Sequence, residues 1–571
     1  MQMRDFVVRF AGEGGQGVVT SAEGLAQTST QAGYYAQTFA TFPSQIMGGP
    51  TWTQVRISVN PVLSPGDDVD VLVVFNQESY DTHNQEVRGG GVIIFNSNEF
   101  QLTGDPRGFG LPIDDLARST GNTRAANMVI IGALAHLVNM PQEYLEGFVT
   151  KRFSRGRATD QEIVKSNIQA LTLGREHIAE SGLSLGELAP PQPPQGTQLM
   201  LKGNEALALG ALAAGLEVYV GYPISPATTI LVFMERNLVG PGKFAYQVSS
   251  EIESITTILG AGYAGKKAMT ATAGPGFSLM SEGLGLGWMS EIPCVVVDVQ
   301  RGGPATVLPT KTEQSDLMAC MFPAHGDVRL PVIAVGSVEE CFYGAIAAFN
   351  WAERYQGPVV LMSEMSLAER AQNIPKPDLS RIKVVNREVY RGSNGYRRYA
   401  GFEVSPMPIP GNPGAYVANG SEHDDMGDTT HLPERHVQMT ERRFSKLKLL
   451  EDGAYERDRP EESIVLMPWG GSKGPGLEAY NTMKAQGIPI GWCYTMFLNP
   501  LPAKLLEELK SKELVIVPEL NYQGQFASIL RSQGVRAEAI TQYTGLPFKV
   551  RDLVKRVTHM VNTLRKEMVR A

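Results

Sequence analysis

The chain has only four cysteines in 571 residues, Cys294, Cys320, Cys341 and Cys493, and no two of them form a Cys-x-x-Cys pair. An iron–sulfur cluster gathers about four thiolates, usually with closely spaced pairs among them. That argues against a cluster held wholly by this chain and for buried, reduced thiols. No run of about 18 apolar residues occurs, so no membrane-spanning helix is expected. Positive charge is not in excess either: 51 Lys+Arg stand against 59 Asp+Glu, a net charge of −8. Nothing here points to nucleic acid or an anionic membrane as partner. Met1-Gln2-Met3-Arg4-Asp5 leads straight into a strand-like segment rather than a signal peptide, and a cytoplasmic location is expected. No repeat of about 20 to 50 residues is present, which excludes a solenoid.

What remains is the composition of a folded, loop-rich α/β protein, with 43% hydrophobic residues and 60 glycines. The length exceeds what one core accommodates, so several domains are expected. Residues 1–185 open with a strand at 5–11, then Gly12-Glu13-Gly14-Gly15-Gln16-Gly17 and a helix from Val18. Buried runs at 69–75 and 91–95 add strands, and the alternation predicts a parallel sheet with helices on both faces. Residues 186–197, with Pro190-Pro191-Gln192-Pro193-Pro194-Gln195-Gly196, read as an extended linker. A second α/β domain spans 198–378, an irregular polar segment 379–460, and a third α/β domain 461–571. The basic helix near the C-terminus reads as a solvated face.

The Gly12–Gly17 loop fits the dinucleotide pattern G-x-G-x-x-G between strand and helix. Yet no acidic residue follows Glu23 until Asp67, so none is placed to hold a ribose. A tight strand–helix turn and a nicotinamide-dehydrogenase loop both stay open. In Gly221-Tyr222-Pro223-Ile224-Ser225-Pro226-Ala227-Thr228, Ser225 has the form of an N-cap and Pro226 of a first helical residue. Such a helix start also suits a carboxylate. Ser249-Ser250-Glu251-Ile252-Glu253 then offers two candidate acids two positions apart. Further on comes Arg301-Gly302-Gly303-Pro304, with Thr310-Lys311-Thr312-Glu313-Gln314 beyond it. An arginine fork suits a carboxylate ligand, although an ion pair with Asp298 would also explain Arg301. Glu422-His423-Asp424-Asp425, near His431 and His436, has irregular spacing in a loop-like segment, which argues against a metal site.

Taken in order, the segments at Gly221–Thr228, Glu251 with Thr270-Ala271-Thr272-Ala273-Gly274-Pro275-Gly276, and Arg301–Gln314 resemble the alpha subunit of the 2-oxoacid:ferredoxin oxidoreductases. The N-terminal region resembles the gamma subunit of the same family, through Gly12–Gly17, Gly48-Gly49-Pro50-Thr51 and Asp68-Val69-Asp70-Val71-Leu72. Residues 463–571 resemble a transketolase C-terminal domain, through Trp469-Gly470-Gly471-Ser472 and Val517-Pro518-Glu519-Leu520-Asn521. Two departures stand out: Ser225 replaces the usual threonine, and Met47 replaces an arginine before Gly48.

The resemblance implies a thiamine diphosphate enzyme. In it Glu251 would face N1′ of the aminopyrimidine and favour loss of the C2 proton. Tyr222, Pro223 and Ile224 would border the cofactor, and Ser225, Arg301 and Thr310 would bind the 2-oxoacid. No Gly-Asp-Gly segment occurs. The diphosphate, its Mg²⁺ and a four-iron four-sulfur cluster are therefore expected on a separate beta subunit, in a dimer of alpha–beta heterodimers. Coenzyme A and ferredoxin would be the further reactants, the reaction would run reversibly toward CO₂ fixation, and 2-oxoglutarate is the first substrate expected. Pyruvate or a broad range of 2-oxoacids is the second expectation, and a non-catalytic assembly subunit a third.

Overall fold

The computed structural model describes residues 2–43, 49–192, 196–393 and 395–570. Met47, Gly48 and Pro193-Pro194-Gln195, all used in the sequence reading, lie outside them. Two compact units emerge: Met1–Leu201 with Arg370–Lys376, and Lys202–Glu369 with Pro377–Ala571.

The first unit is built on an eight-stranded sheet. Its order is Gly108–Leu111, Val87–Asn96, Val69–Val74, Asp5–Glu13, Pro50–Ser58, Tyr35–Thr41, Ala371–Pro375 and Gln198–Lys202. The first four strands run parallel, as the alternation predicts. Pro50–Ser58 is antiparallel to Asp5–Glu13 and to Tyr35–Thr41, so the expected parallel sheet is in fact mixed. After the helix Val18–Gln31 the chain enters an antiparallel strand pair instead of a crossover to a parallel neighbour. Val8, Phe10, Val71, Val73 and Ile94 form the buried face. Against it, helices Ala126–Leu137 and Asp160–Ala179 cross at two reciprocal glycines: a Cβ on Gly132 would strike the Leu171 carbonyl, and one on Gly174 the Val129 carbonyl. In the N-terminal glycine loop, a Cβ on Gly12 would meet Gln16 Oε1 and one on Gly17 would meet Asn127 Oδ1, while Gln16 Oε1 accepts from the Glu13 N–H at 2.7 Å. At Gly12 a Cβ would also stand 3.1 Å from the Phe75 side chain, and Gly17 has φ +83°, the left-handed region that favours glycine.

The second unit contains two sheets. The larger has the order Phe244–Gln247, Val218–Gly221, Ala268–Thr272, Cys294–Gln300, Pro358–Glu364, Val332–Ala334 and Phe497–Asn499. All pairings are parallel except the last. The smaller sheet, with Ile464–Leu466, Leu514–Glu519 and Ala537–Thr541 parallel to one another, forms the C-terminal layer. The final helix, Val550–Arg570, is more than the solvated face expected of it. Leu553, Val557 and Val561 are buried in one cluster with Tyr480 and Met483.

Residues 379–460 also hold more order than their pattern suggests. Helix Pro433–Ser445 presents Arg442 and Arg443 inward. Arg442 and Lys446 bond the buried Glu291 carboxylate at 2.9 Å each, and Arg398 lies 3.9 Å from it. His423 is fully buried, its Nδ1 2.9 Å from the Ser421 carbonyl, and no group of three His, Cys, Asp or Glu suits a metal among the described residues. All four cysteines are free and buried.

Candidate active site at the carboxyl edge of the central sheet

In an open parallel sheet, ligands bind beyond the carboxyl ends of the strands, where the connecting loops gather. Four such loops carry the residues singled out above. Val218–Gly221 ends at Tyr222, Phe244–Gln247 leads to Glu251, Ala268–Thr272 leads to Gly274, and Cys294–Gln300 ends at Arg301. Parallel register puts all four on one edge.

Glu251 is the first residue of helix Glu251–Tyr263 and is only 5% exposed. Its rival Glu253 points into solvent and is occupied locally. Its carboxylate accepts from the Ser249 N–H at 2.8 Å and the Ser249 hydroxyl at 2.6 Å, bonds that hold its pKa below the usual carboxylate value. Ser250, the N-cap, accepts from the Glu253 N–H. The helix start therefore uses one acid as a cap and turns the other inward. Glu251 lies against the Gly274–Gly276 turn, where a Cβ on Gly276 would run into Glu251 Oε1 and Thr272 Oγ1. Only glycine leaves room for that carboxyl.

Arg301 is 6% exposed, and its Nη1 donates to the Ser225 carbonyl at 2.6 Å. Its Nε is buried without a hydrogen-bond partner, and it makes no ion pair among the described residues. Burial lowers its pKa, with Asp316 opposing. The ion pair with Asp298 is not formed: Asp298 Oδ2 instead accepts from Cys320 Sγ at 3.6 Å. Thr310 is half-buried across the neck of the same loop. The Gly302 N–H donates to the Lys311 carbonyl at 3.0 Å, and the Leu308 N–H to the Gly302 carbonyl at 3.3 Å. These bonds fold the 301–311 segment back on itself, with Gly302 paired to Leu308 across its neck. Past the neck, Gln314 is locked by the Trp469 carbonyl at 2.8 Å and the Leu520 N–H at 2.9 Å, which ties the loop to the C-terminal layer.

The segment at Tyr222 departs from its expected form. Ser225 is not an N-cap: the helix is Thr228–Asn237, with Ala227 at the cap position and no side-chain capping bond. The Ser225–Pro226 peptide is cis, and the chain turns through 225–227 with the Ser225 carbonyl directed at Arg301. Tyr222 is 41% exposed, Pro223 and Ile224 are half-buried, and Ser225 is exposed. Sequence reasoning missed Asp316, whose carboxyl packs against Gly274. The one acid in the otherwise largely apolar strand Cys294–Gln300, Asp298, was a signal that a buried carboxyl lies here.

Residues 209–442 match the family described as pyruvate flavodoxin/ferredoxin oxidoreductase, thiamine diphosphate-binding, and residues 7–177 match the pyruvate ferredoxin/flavodoxin oxidoreductase family. The 2-oxoglutarate oxidoreductase subunit KorA of Mycobacterium tuberculosis is 32% identical, over 96% of this chain and 90% of its own. The 2-oxoacid:ferredoxin oxidoreductase 2, subunit alpha, of Aeropyrum pernix is 29% identical, over 97% of this chain and 98% of its own. A solved structure of 2-oxoglutarate:ferredoxin oxidoreductase from Magnetococcus marinus, with 2-oxoglutarate, coenzyme A and succinyl-CoA bound, aligns with a TM-score of 0.92 at 35% identity. That alignment covers 98% of this chain and 100% of the other. On its sequence, its fold and these relatives, the chain belongs to the 2-oxoacid:ferredoxin oxidoreductases, as an alpha-type subunit carrying a thiamine diphosphate-binding domain.

Proposed function

We propose that the chain, with a gamma-type region fused ahead of its alpha-type part, works with a separate beta subunit. Together they convert a 2-oxoacid and coenzyme A to acyl-CoA and CO₂, passing two electrons to ferredoxin, and run in reverse to fix CO₂. The Mycobacterium tuberculosis and Magnetococcus marinus relatives support 2-oxoglutarate as the substrate. Pyruvate or a broader 2-oxoacid range is the second reading, favoured by the family descriptions and by the Aeropyrum pernix relative. The beta subunit is proposed to bring Mg²⁺, the diphosphate contacts and a four-iron four-sulfur cluster, in a cytoplasmic dimer of heterodimers.

One observation carries this reading: a buried acid and a buried guanidinium whose Nε has no hydrogen-bond partner among the described residues share one sheet edge. The residues present fit the pyrimidine end of thiamine diphosphate, because Gly276 leaves a cradle in which the Glu251 carboxyl is held. When bound, that cofactor supplies the electron sink that lets the bond between substrate carboxylate and ketone carbon break. Glu251 would hold a proton at the pyrimidine N1′, with Tyr222, Pro223 and Ile224 bordering the ring. Arg301 would orient the substrate carboxylate, aimed by the Ser225 carbonyl, with the Ser225 and Thr310 hydroxyls beside it. Orientation rather than tight ground-state grip serves catalysis, since the carboxylate leaves as neutral CO₂.

The test is to co-purify the tagged chain with its partner and assay viologen reduction with coenzyme A on 2-oxoglutarate and pyruvate. Faster turnover of 2-oxoglutarate supports the full reading, and turnover of pyruvate alone removes the substrate assignment. No turnover of any 2-oxoacid by an assembled complex would leave an assembly role. Arg301→Ala should raise KM about 10- to 100-fold, the scale of a lost charge-assisted hydrogen bond of about 1.5–3 kcal/mol. Unchanged saturation with every 2-oxoacid would remove Arg301 from substrate binding.

A further inference from the structure

Beyond Thr310 the loop that starts at Arg301 returns along residues 312–316, and this limb is bonded to the C-terminal layer at Thr312, Gln314 and Ser315. The Thr312 N–H donates to the Gly545 carbonyl at 3.3 Å. Gln314 is fully buried, and that layer engages its backbone and its side chain alike. Its N–H donates to the Leu520 carbonyl at 2.8 Å, and its carbonyl accepts from Asn521 Nδ2 at 2.9 Å. Its amide Nε2 donates to the Trp469 carbonyl at 2.8 Å, and its Oε1 accepts from the Leu520 N–H at 2.9 Å. Gln525, the first residue of helix Gln525–Ser532, spans the end of the limb. Its Nε2 donates to the Ser315 carbonyl at 2.7 Å and its Oε1 accepts from the Met318 N–H at 2.9 Å.

The C-terminal layer is shaped to receive the limb. A Cβ on Gly470 would stand 2.7 Å from Gln314 Nε2, and one on Gly545 would stand 2.8 Å from Lys311 Cβ. The central sheet holds the same limb from its other neighbours. Thr312 Oγ1 donates to Glu364 Oε1 at 3.1 Å and the Asp316 N–H donates to Gln300 Oε1 at 3.2 Å. Gln300 and Glu364 are themselves paired in adjacent strands. By contrast, the bonds among Gly302, Leu308 and Lys311 join loop residues to one another, so they set the shape of the loop and not its place. Strand Cys294–Gln300 fixes the loop at Arg301, and the bonds of Gln314 and Gln525 fix it beyond Thr310.

We propose that Gln314 and Gln525 are positioning residues for the 2-oxoacid, through which the C-terminal layer holds the Arg301–Thr310 loop in the form that receives substrate. The inference rests on the reading of Arg301 and Thr310 as partners of the 2-oxoacid. A loop already in its binding form adds no ordering cost when substrate arrives. Released from its anchors, the loop has to be ordered by the substrate itself. Affinity then falls while the saturated complex regains the native arrangement, so the loss appears in KM and not in kcat. Damage to the fold has the opposite signature, because fewer active molecules lower the apparent kcat and leave KM native.

The experiment is steady-state kinetics of the assembled complex at saturating coenzyme A, with whichever of 2-oxoglutarate and pyruvate is turned over faster. The native chain is compared with Gln314→Met, Gln525→Met, the double variant and Arg301→Ala. Methionine keeps the length of the side chain and removes both hydrogen bonds of the amide. Each single variant should raise KM for the 2-oxoacid about tenfold, with kcat within about twofold of native. The double variant should rise little beyond about tenfold, since both residues hold one limb. A native KM in either single variant overturns the proposal, whether or not kcat falls, and so does full additivity to about a hundredfold. Should Gln314→Met fail to assemble, Gln525→Met carries the test, and failure of both to assemble overturns the positioning role. A native KM in Arg301→Ala would sink the substrate-binding reading of Arg301 instead. A raised KM in Arg301→Ala beside native values in the glutamine variants would sink the positioning role alone.

Discussion

At the scale of single residues, the fate of two glutamates shows what chemistry a helix start can sort. Ser250 and Glu253 have the S-x-x-E spacing of a capping box, a signature legible in the sequence. In the structure Ser250 caps the Glu253 N–H and the Glu253 carboxylate turns back to the Ser249 N–H, one residue short of a full capping box, while Glu251 is buried and available to the site. Glu251→Gln keeps the shape and removes the proton, so kcat of the complex should fall about 100-fold or more while assembly is kept. Glu253→Gln should stay near native activity. A Glu251→Gln complex with native turnover would return the site to a structural role. Asp316 was not legible in this way. An acid in a polar loop reads as solvated, and only the fold brings it between Gln300 and Gly274.

Among the elements, strand positions were the easiest to read, because buried strands of Val and Ile announce themselves. Ser225 misled, since a serine before proline has the form of a cap while the backbone here turns its carbonyl to Arg301. Helix Pro433–Ser445 escaped for another reason. Its inward face bears Arg442 and Arg443, so an apolar period cannot reveal it. The buried partner is Glu291, which three cations surround at 0–3% side-chain exposure. They hold its carboxyl well below the usual range against the opposing effect of burial. Glu291→Gln would leave Arg398, Arg442 and Lys446 without their counter-charge, and unfolding free energy should drop by about 3–5 kcal/mol. Because the folded pKa is depressed, the stabilisation by Glu291 is full above its unfolded pKa and falls away as pH drops below it. Urea melts of the native chain and the variant at pH 7 and pH 4 would test both points. The gap between them should narrow at pH 4, and equal stability at pH 7 would contradict the assignment.

Across the whole molecule, chain order and compact units do not coincide. The proline run was read as the end of the first domain, yet Gln198–Lys202 lies beyond it and Ala371–Pro375 returns from far downstream, both in the same sheet. Proline density marks extended chain; it carries no information about which later strand will pair. The returning strand is well tied: Gln372 pairs with Gln37, Asn373 Oδ1 accepts from the Ala36 N–H at 2.8 Å, and the Ala371 N–H donates to Thr38 Oγ1 at 2.9 Å. Without it, Tyr35–Thr41 becomes an open edge, and Gln198–Lys202, which pairs on the far side of 371–375, loses its neighbour. A fragment of residues 1–201 should therefore aggregate more readily and melt about 5–10 °C below a version carrying residues 370–376 on a flexible linker. That scale follows from about 2–3 kcal/mol of lost pairing in a unit of roughly 200 residues. Thermal melts with light scattering on the two fragments decide it. Equal melting would mean that the first unit folds without its returning strand, and that the strand docks on a sheet already complete.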